Sequence, residues 1–494
     1  MPEMSALRFI RRSTFAVALL ATAAIAGISL LLLPRKDGTG VAPARDAVIA
    51  TEEPLRYDFE YPAIGYSTTP PADRVAALEA KLDAGDAVLE RRADRGYLDP
   101  LLRALDVDPA SQVLVFSATS LQVGSIRPRT PRAIYFNDDV YVAWVQGGAP
   151  IEIASMDPNL GPVFYTLDQD EAAPELDRQM ERCLRCHDSL SLTGGGVPRF
   201  IVGSGYIGTR GDIVAHEGWI LTTQQTPIKN RWGGWYVTGR HGEQAHLGNI
   251  VVRNVADLEH LDRLRIGNLD TLEGLVDTTP YIAPGSDIVA LLVLQHQVDV
   301  QNEIARVGYR VRTALDGAKA GDEPSAGDGQ VRASPGAPIA ELTEPLVEAM
   351  LFVGAAELAG PITGSSDFRR GFERRGPRDA AGRSLRDLDL SHRLLRYPLS
   401  YLVYSSAFDA LPEPAKDYVY RRFADVLRGE DPSGKFEHLS AEDRTAVLEI
   451  LTETKPDFAA ALAERAPAAL AESAPAAFAE RSPAAPPGSA RPDE

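Results

Sequence analysis

Apolar and polar positions follow three regimes along this chain. From 72 to 105 the apolar residues recur at helical spacing: Val75, Leu78 and Leu82, then Leu89, with Leu101, Leu102 and Leu105 after Pro100. That pattern predicts a helical hairpin. From 113 to 167 they gather into short runs rich in β-branched and aromatic side chains, at 113–116, 133–136, 140–145, 151–153 and 163–167, with Asp-Asp, Gly-Gly and Pro between them. These runs predict strands, with a hairpin at 136–140. A polar helix is predicted over 177–186, and further strands at 200–202, 213–215, 219–221, 235–238 and 250–253. The third regime starts at Ser286, the expected N-cap of a helix whose stripe is Val289, Val293, His296, Val300, Ile304, Val307 and Val311. More helices are predicted at 344–352, 385–396, 401–408, 413–427 and 441–451, with a surface loop over 316–338. The Ala-Pro-Glu repeats of 456–494 lack the apolar variety to build a core, which predicts disorder.

The chain opens differently. Arg8, Arg11 and Arg12 precede an uncharged run from Ser13 to Leu33. At helical rise the run spans about 30 Å, the thickness of a bilayer's hydrocarbon. Residues 1–35 therefore predict a single transmembrane signal anchor, followed by a Pro- and Gly-containing tether over 36–71. A cleaved signal peptide is the competing reading, with Ala42-Pro43-Ala44 as its cleavage site. It is disfavoured because Arg35 and Lys36 stand where small residues belong. Basic residues before the run keep the N-terminus cytoplasmic, so the bulk of the chain is expected in the periplasm of a bacterium, held at the inner membrane. The formal net charge of -18 argues against a nucleic-acid partner and for long-range attraction to a basic protein.

The candidate chemistry lies in Cys183-Leu184-Arg185-Cys186-His187, the C-x-x-C-H pattern of covalent haem c attachment. Two thiols at this spacing add across the two vinyl groups of one porphyrin, and His187 is then placed as the proximal iron ligand. These are the only 2 cysteines in 494 residues. A zinc site or a thioredoxin-like dithiol uses the same spacing. Zinc needs two further ligands, for which His241 and His246 come closest. A thioredoxin motif needs the strand-to-helix turn of a βαβ unit, which the polar helix before Cys183 does not offer. The periplasmic address agrees with one covalent haem c. Opposite His187, His246 is the leading candidate for a distal ligand, with His296 and His241 as alternatives and Met156 and Met350 behind them. Arg231 and Arg240 read as surface charges.

The segments Tyr135-Phe136-Asn137-Asp138-Asp139-Val140-Tyr141-Val142-Ala143-Trp144, Cys183 to His187, Arg231-Trp232-Gly233-Gly234-Trp235-Tyr236-Val237-Thr238-Gly239 and Ser286-Asp287-Ile288-Val289-Ala290-Leu291 resemble an uncharacterised bacterial family of exported single-haem proteins described as cytochrome c domain-containing. The resemblance spans roughly residues 110 to 430 and implies haem binding and electron transfer, with the haem residues alone carried over. The fold expected is α+β rather than a small all-α cytochrome c: a β-rich, haem-bearing region over 72–280 with a helical region over 281–455. A body so much larger than one haem requires suggests a second task. A membrane-anchored electron carrier with an unidentified redox partner is therefore weighed against two others. One is a haem enzyme of peroxidase or small-oxyanion reductase type with an open distal site, and the other a haem-based sensor.

Overall fold

The structure, a computed structural model, describes residues 59–170, 174–214, 218–320 and 338–464. The expected anchor, most of the tether, residues 321–337 of the expected 316–338 loop and the tail from 465 lie outside the described residues; 316–320, expected in that loop, are helical instead. Among those described, no helix is long and apolar enough to cross a membrane.

Six antiparallel strands form one sheet in chain order: β1 (Val113–Val115), β2 (Arg132–Phe136), β3 (Val140–Val145), β4 (Pro150–Asp157), β5 (Gly161–Asp168) and β6 (Leu176–Arg178). The β-branched and aromatic runs are the strands the sequence predicts. Every side chain of β3 is buried, so both faces of the sheet are covered. At the β2–β3 hairpin Asn137 Oδ1 accepts from the Asp139 and Val140 amides while its Nδ2 donates to the Leu105 carbonyl. One side chain therefore closes the turn and ties it to the preceding helices, α1 (Arg74–Asp83) and α2 (Leu98–Ala104).

β6 corrects the polar helix expected over 177–186. Leu176 is buried opposite Leu167, and Gln179 Nε2 donates to Thr166 Oγ1, so this segment covers the otherwise open edge of β5. The helix begins only at Glu181, as α3 (Glu181–His187), followed by α4 (Leu190–Thr193). The strands expected between 200 and 253 are mostly absent as ladders. Gly203–Ser204 pairs with Ile220–Leu221 and Gly239–Arg240 with Thr363–Gly364, with isolated bridges such as Val115 to Trp235 and Gly208 to Val252. Close backbone approach replaces the ladder: a Cβ on Gly233 would stand 2.2 Å from the Gly205 carbonyl oxygen.

After the short α5 (Leu261–Leu264), α6 (Ile288–Ala320) runs for 33 residues. Its cap is Asp287, whose Oδ1 accepts from the Val289 and Ala290 amides. Ser286, the expected cap, accepts from the Leu114 amide and donates to the Tyr236 carbonyl, joining β1 to the helix start. α6 lies against the sheet, where Gln297 Nε2 donates to Asn137 O and Tyr141 donates to Gln301 Oε1. Its other side takes α7 (Ile339–Met350), and beyond α8 (Phe368–Arg374) and α9 (Ser406–Asp409) come α10 (Glu413–Arg428) and α11 (Ala441–Thr454). One main apolar core runs from Ile64 to Phe458, so the regions 72–280 and 281–455 share an interior, and a small separate cluster gathers Leu247, Ile250 and Val252.

One expectation of helix and one of disorder fail for local reasons. Residues 385–396 form a bend bridged from Leu388 to Leu395, because Asp389 Oδ1 accepts from the Ser391 and His392 amides and so competes with helical hydrogen bonding. Conversely, 456–464 is ordered as α12 (Pro456–Glu464), since Phe458 is buried edge-on against Tyr420 at 5.7 Å.

Candidate haem attachment site

The sheet delivers the chain to α3, where Cys183, Cys186 and His187 stand at i, i+3 and i+4 and therefore share one face of a short helix. Leu184 faces the core. Both thiols are free; Cys183 is half-buried against the core and Cys186 is exposed. Burial, with Glu152 nearby, pushes the Cys183 thiol up to about 12.

His187 is held from two sides. Its Nδ1 lies 2.6 Å from the Arg199 carbonyl, and its own carbonyl accepts from the Arg199 amide at 2.9 Å. Because a carbonyl only accepts, Nδ1 carries the proton, and Nε2 keeps its lone pair. Phe164 packs on the ring at 4.3 Å between centroids. Burial pushes the imidazolium down to about 4, so the ring is neutral at ordinary pH. The chain returns to Arg199 through Gly194, Gly195 and Gly196, all left-handed at φ of 83°, 69° and 82°. Three such residues in succession reverse the backbone in a way side chains resist. Asn302 of α6 fixes the next residue: its Oδ1 accepts from the Phe200 amide at 2.9 Å and its Nδ2 donates to the Phe200 carbonyl at 3.0 Å.

These residues fit a haem c. Two free thiols sit on one face beside a neutral imidazole whose Nδ1–H is committed to a backbone carbonyl, the second-shell bond that orients a metal-binding histidine. An antiparallel sheet leading into α3 contains no βαβ turn of the thioredoxin kind. Among the described residues, His241 and His246 bond to each other and to neighbouring backbone, not to the cysteines.

The three candidate distal histidines have partners elsewhere. His246 and His241 face each other, Nε2 to Nε2 at 3.2 Å, with His246 Nδ1 accepting from the Gly248 amide and His241 Nδ1 donating to the Gln244 carbonyl. His296 places Nδ1 against Gln224 Oε1 and Nε2 against Ser400 Oγ. Met156 is buried in β4 and Met350 in α7. The aromatic ring that packs on His187 is Phe164. Arg240 is exposed and paired with Asp270, as a surface charge should be. Arg231 is not: it is 4% exposed, a burial that a polar residue in a Gly-Trp loop gives no sequence signal of.

One turn of α6 beyond His296, burial raises the Asp299 carboxyl to about 6, against its hydrogen bond from the Gln224 amide. A carboxyl whose folded value is raised keeps its proton in the fold after the unfolded chain has released it. Stability linked to Asp299 is therefore full below the ordinary value of 3.8 and is lost as pH rises toward about 6. Asp299→Asn is expected to flatten that fall, by up to about 2 kcal/mol between pH about 4.5 and about 7.5 in urea unfolding. An unchanged pH slope would remove Asp299 as its source. Comparison of the chain with models of protein families, with curated proteins and with solved structures finds no match in any of the three.

Proposed function

We propose that this chain carries one haem covalently attached through Cys183 and Cys186, with His187 as an axial iron ligand, and passes single electrons on the periplasmic side of the inner membrane. The observation that carries the reading is the Arg199 carbonyl at His187 Nδ1, which leaves Nε2 as the free base on the same helix face as two unpaired thiols. Haem bound in this way supplies one-electron iron chemistry at a potential tuned by its axial ligand and surroundings. Arg199 orients His187, Phe164 shields the ring from water, and Asn302 locks the loop that presents the carbonyl. An acidic body of net charge -18 steers toward a redox partner with a basic face, a preference that weakens as salt rises.

A second reading, an iron open on its far side to a small molecule, draws support from the histidines: all six ring nitrogens of His241, His246 and His296 are hydrogen-bonded within the protein. One preparation tests both. Protein made in a host that matures c-type cytochromes is expected to gain the mass of one haem, resistant to acid extraction, with an alkaline pyridine spectrum of saturated side chains. Colourless protein with both thiols titratable would end the proposal. Cyanide then separates the readings, since a shifted Soret band marks the open iron and an unmoved band the electron carrier.

A further inference from the structure

A cavity of about 580 Å³ opens beside α6 at Leu292 and His296, and neither cysteine nor His187 lines it. Its volume is in the range of small-molecule sites, about 300–1,000 Å³. The wall includes Arg231, His296, Phe352 and the apolar Leu292, Leu394 and Leu395.

The position of Arg231 is the informative one. Its guanidinium donates from Nε to the Thr226 carbonyl at 2.6 Å, from Nη2 to the Gln224 carbonyl at 2.8 Å and from Nη1 to Gln295 Oε1 at 3.3 Å. All three acceptors are neutral. Among the described residues no carboxylate comes within ion-pair distance of it; the buried Asp299, bonded to the Gln224 amide, attracts it only at longer range, whereas the other cations of the wall are matched directly, Arg393 by Asp443 and Lys435 by Glu348. A guanidinium has five N–H groups, so among the described residues two are left without an acceptor. A buried, unpaired charge costs several kcal/mol unless something neutralises it. The fold also strains itself to hold this residue: the neighbouring Trp232, fully buried, sits at φ 67°, in the left-handed region that bulky side chains avoid, with its Nε1 on the same Gln295 oxygen.

His296 shows that the cavity binds rather than reacts. Gln224 Nε2 donates to the Ala349 carbonyl, which leaves Oε1 to accept from His296 Nδ1–H, so His296 Nε2 accepts from Ser400 Oγ–H. Both ring nitrogens are spent, and the ring lies flat on Phe352 at 4.5 Å and 10°. Ser400 is fully buried and lines no part of the cavity, so the serine–histidine pair orients an aromatic wall and offers no nucleophile. Glu357 and Glu437 stand at the exposed rim, where solvent screens them.

We infer that this cavity is a binding site for a small organic carboxylate, its charge on Arg231 and its apolar body between Phe352 and the leucines. The site is independent of the haem. The test uses 4-fluorobenzoate as probe, its fluorine resonance followed by NMR as the purified full chain is added. Broadening at about millimolar probe is expected, with binding weakened about tenfold or more for neutral 4-fluorobenzamide and for Arg231→Gln. Ala355→Trp, a plug at the cavity wall that leaves the Arg231 network in place, is expected to abolish it, and decides the matter if Arg231→Gln fails to fold. Equal broadening with Ala355→Trp, or with the amide, would overturn the site or its charge. Displacement by phosphate as readily as by unlabelled benzoate would overturn the carboxylate assignment in favour of an inorganic oxyanion.

Discussion

Replacing Cys183 and Cys186 together by alanine is expected to take covalently held haem from one per chain to none, measured by haem-stained denaturing gels and by mass. No other thiol exists in the chain to substitute for either. The fold itself should survive, because Cys186 is exposed and Cys183 only half-buried, placing the stability cost near the ordinary range of about 1 kcal/mol. The single variants should differ. Cys186 presents its sulfur to solvent, while Cys183 is packed against the core with its thiol pushed up to about 12, so it holds its proton and is a poor nucleophile once the fold has closed. Cys183→Ala is therefore expected to retain haem on one thioether, and Cys186→Ala to lose most of it. A double variant that still carries haem resistant to acid extraction would sink the attachment reading, whatever its colour.

The same contrast explains what could be read from the residues. C-x-x-C-H carries its chemistry in adjacent positions, and the strands from 113 to 168 announce themselves because their alternation is local. The carbonyl that orients His187 comes from Arg199, delivered by a glycine reversal, and a backbone acceptor leaves no mark in sequence. The distal candidates were ranked by residue type and by neighbouring glycines. Type shows which side chain can bind iron but not which partner it meets, and His246 and His241 meet each other. Segments 200–253 and 385–396 carry the apolar patterns of strands and helix, but close glycine contacts and a side-chain turn hold them instead. Arg231 was read as surface because burial of a charge depends on Gln224, Gln295 and Thr226 converging from separate segments.

Asp287→Ala is expected to lower stability by about 3 kcal/mol in urea unfolding. Its carboxylate is 2% exposed and serves two elements: Oδ1 accepts from the Val289 and Ala290 amides at the head of α6, and Oδ2 accepts from Ser366 N at 2.7 Å and Ser366 Oγ at 2.9 Å. Losing the cap costs about 1 kcal/mol, and leaving buried donors at Ser366 unmet costs about 1–3 more. Asp287→Asn separates the two, because its oxygen can still cap the helix while its amide faces Ser366 donor to donor, so it should fall between wild type and alanine. The consequence reaches function through α6. His296 lies on it, and Asn302, about 9 Å further along its axis, fixes the loop that holds His187. Because the haem motif and the cavity share the main core, the Soret band should shift and fluorobenzoate binding should vanish at the same urea concentration in the alanine variant. Two well-separated midpoints would show that the helix does not couple the haem motif to the cavity.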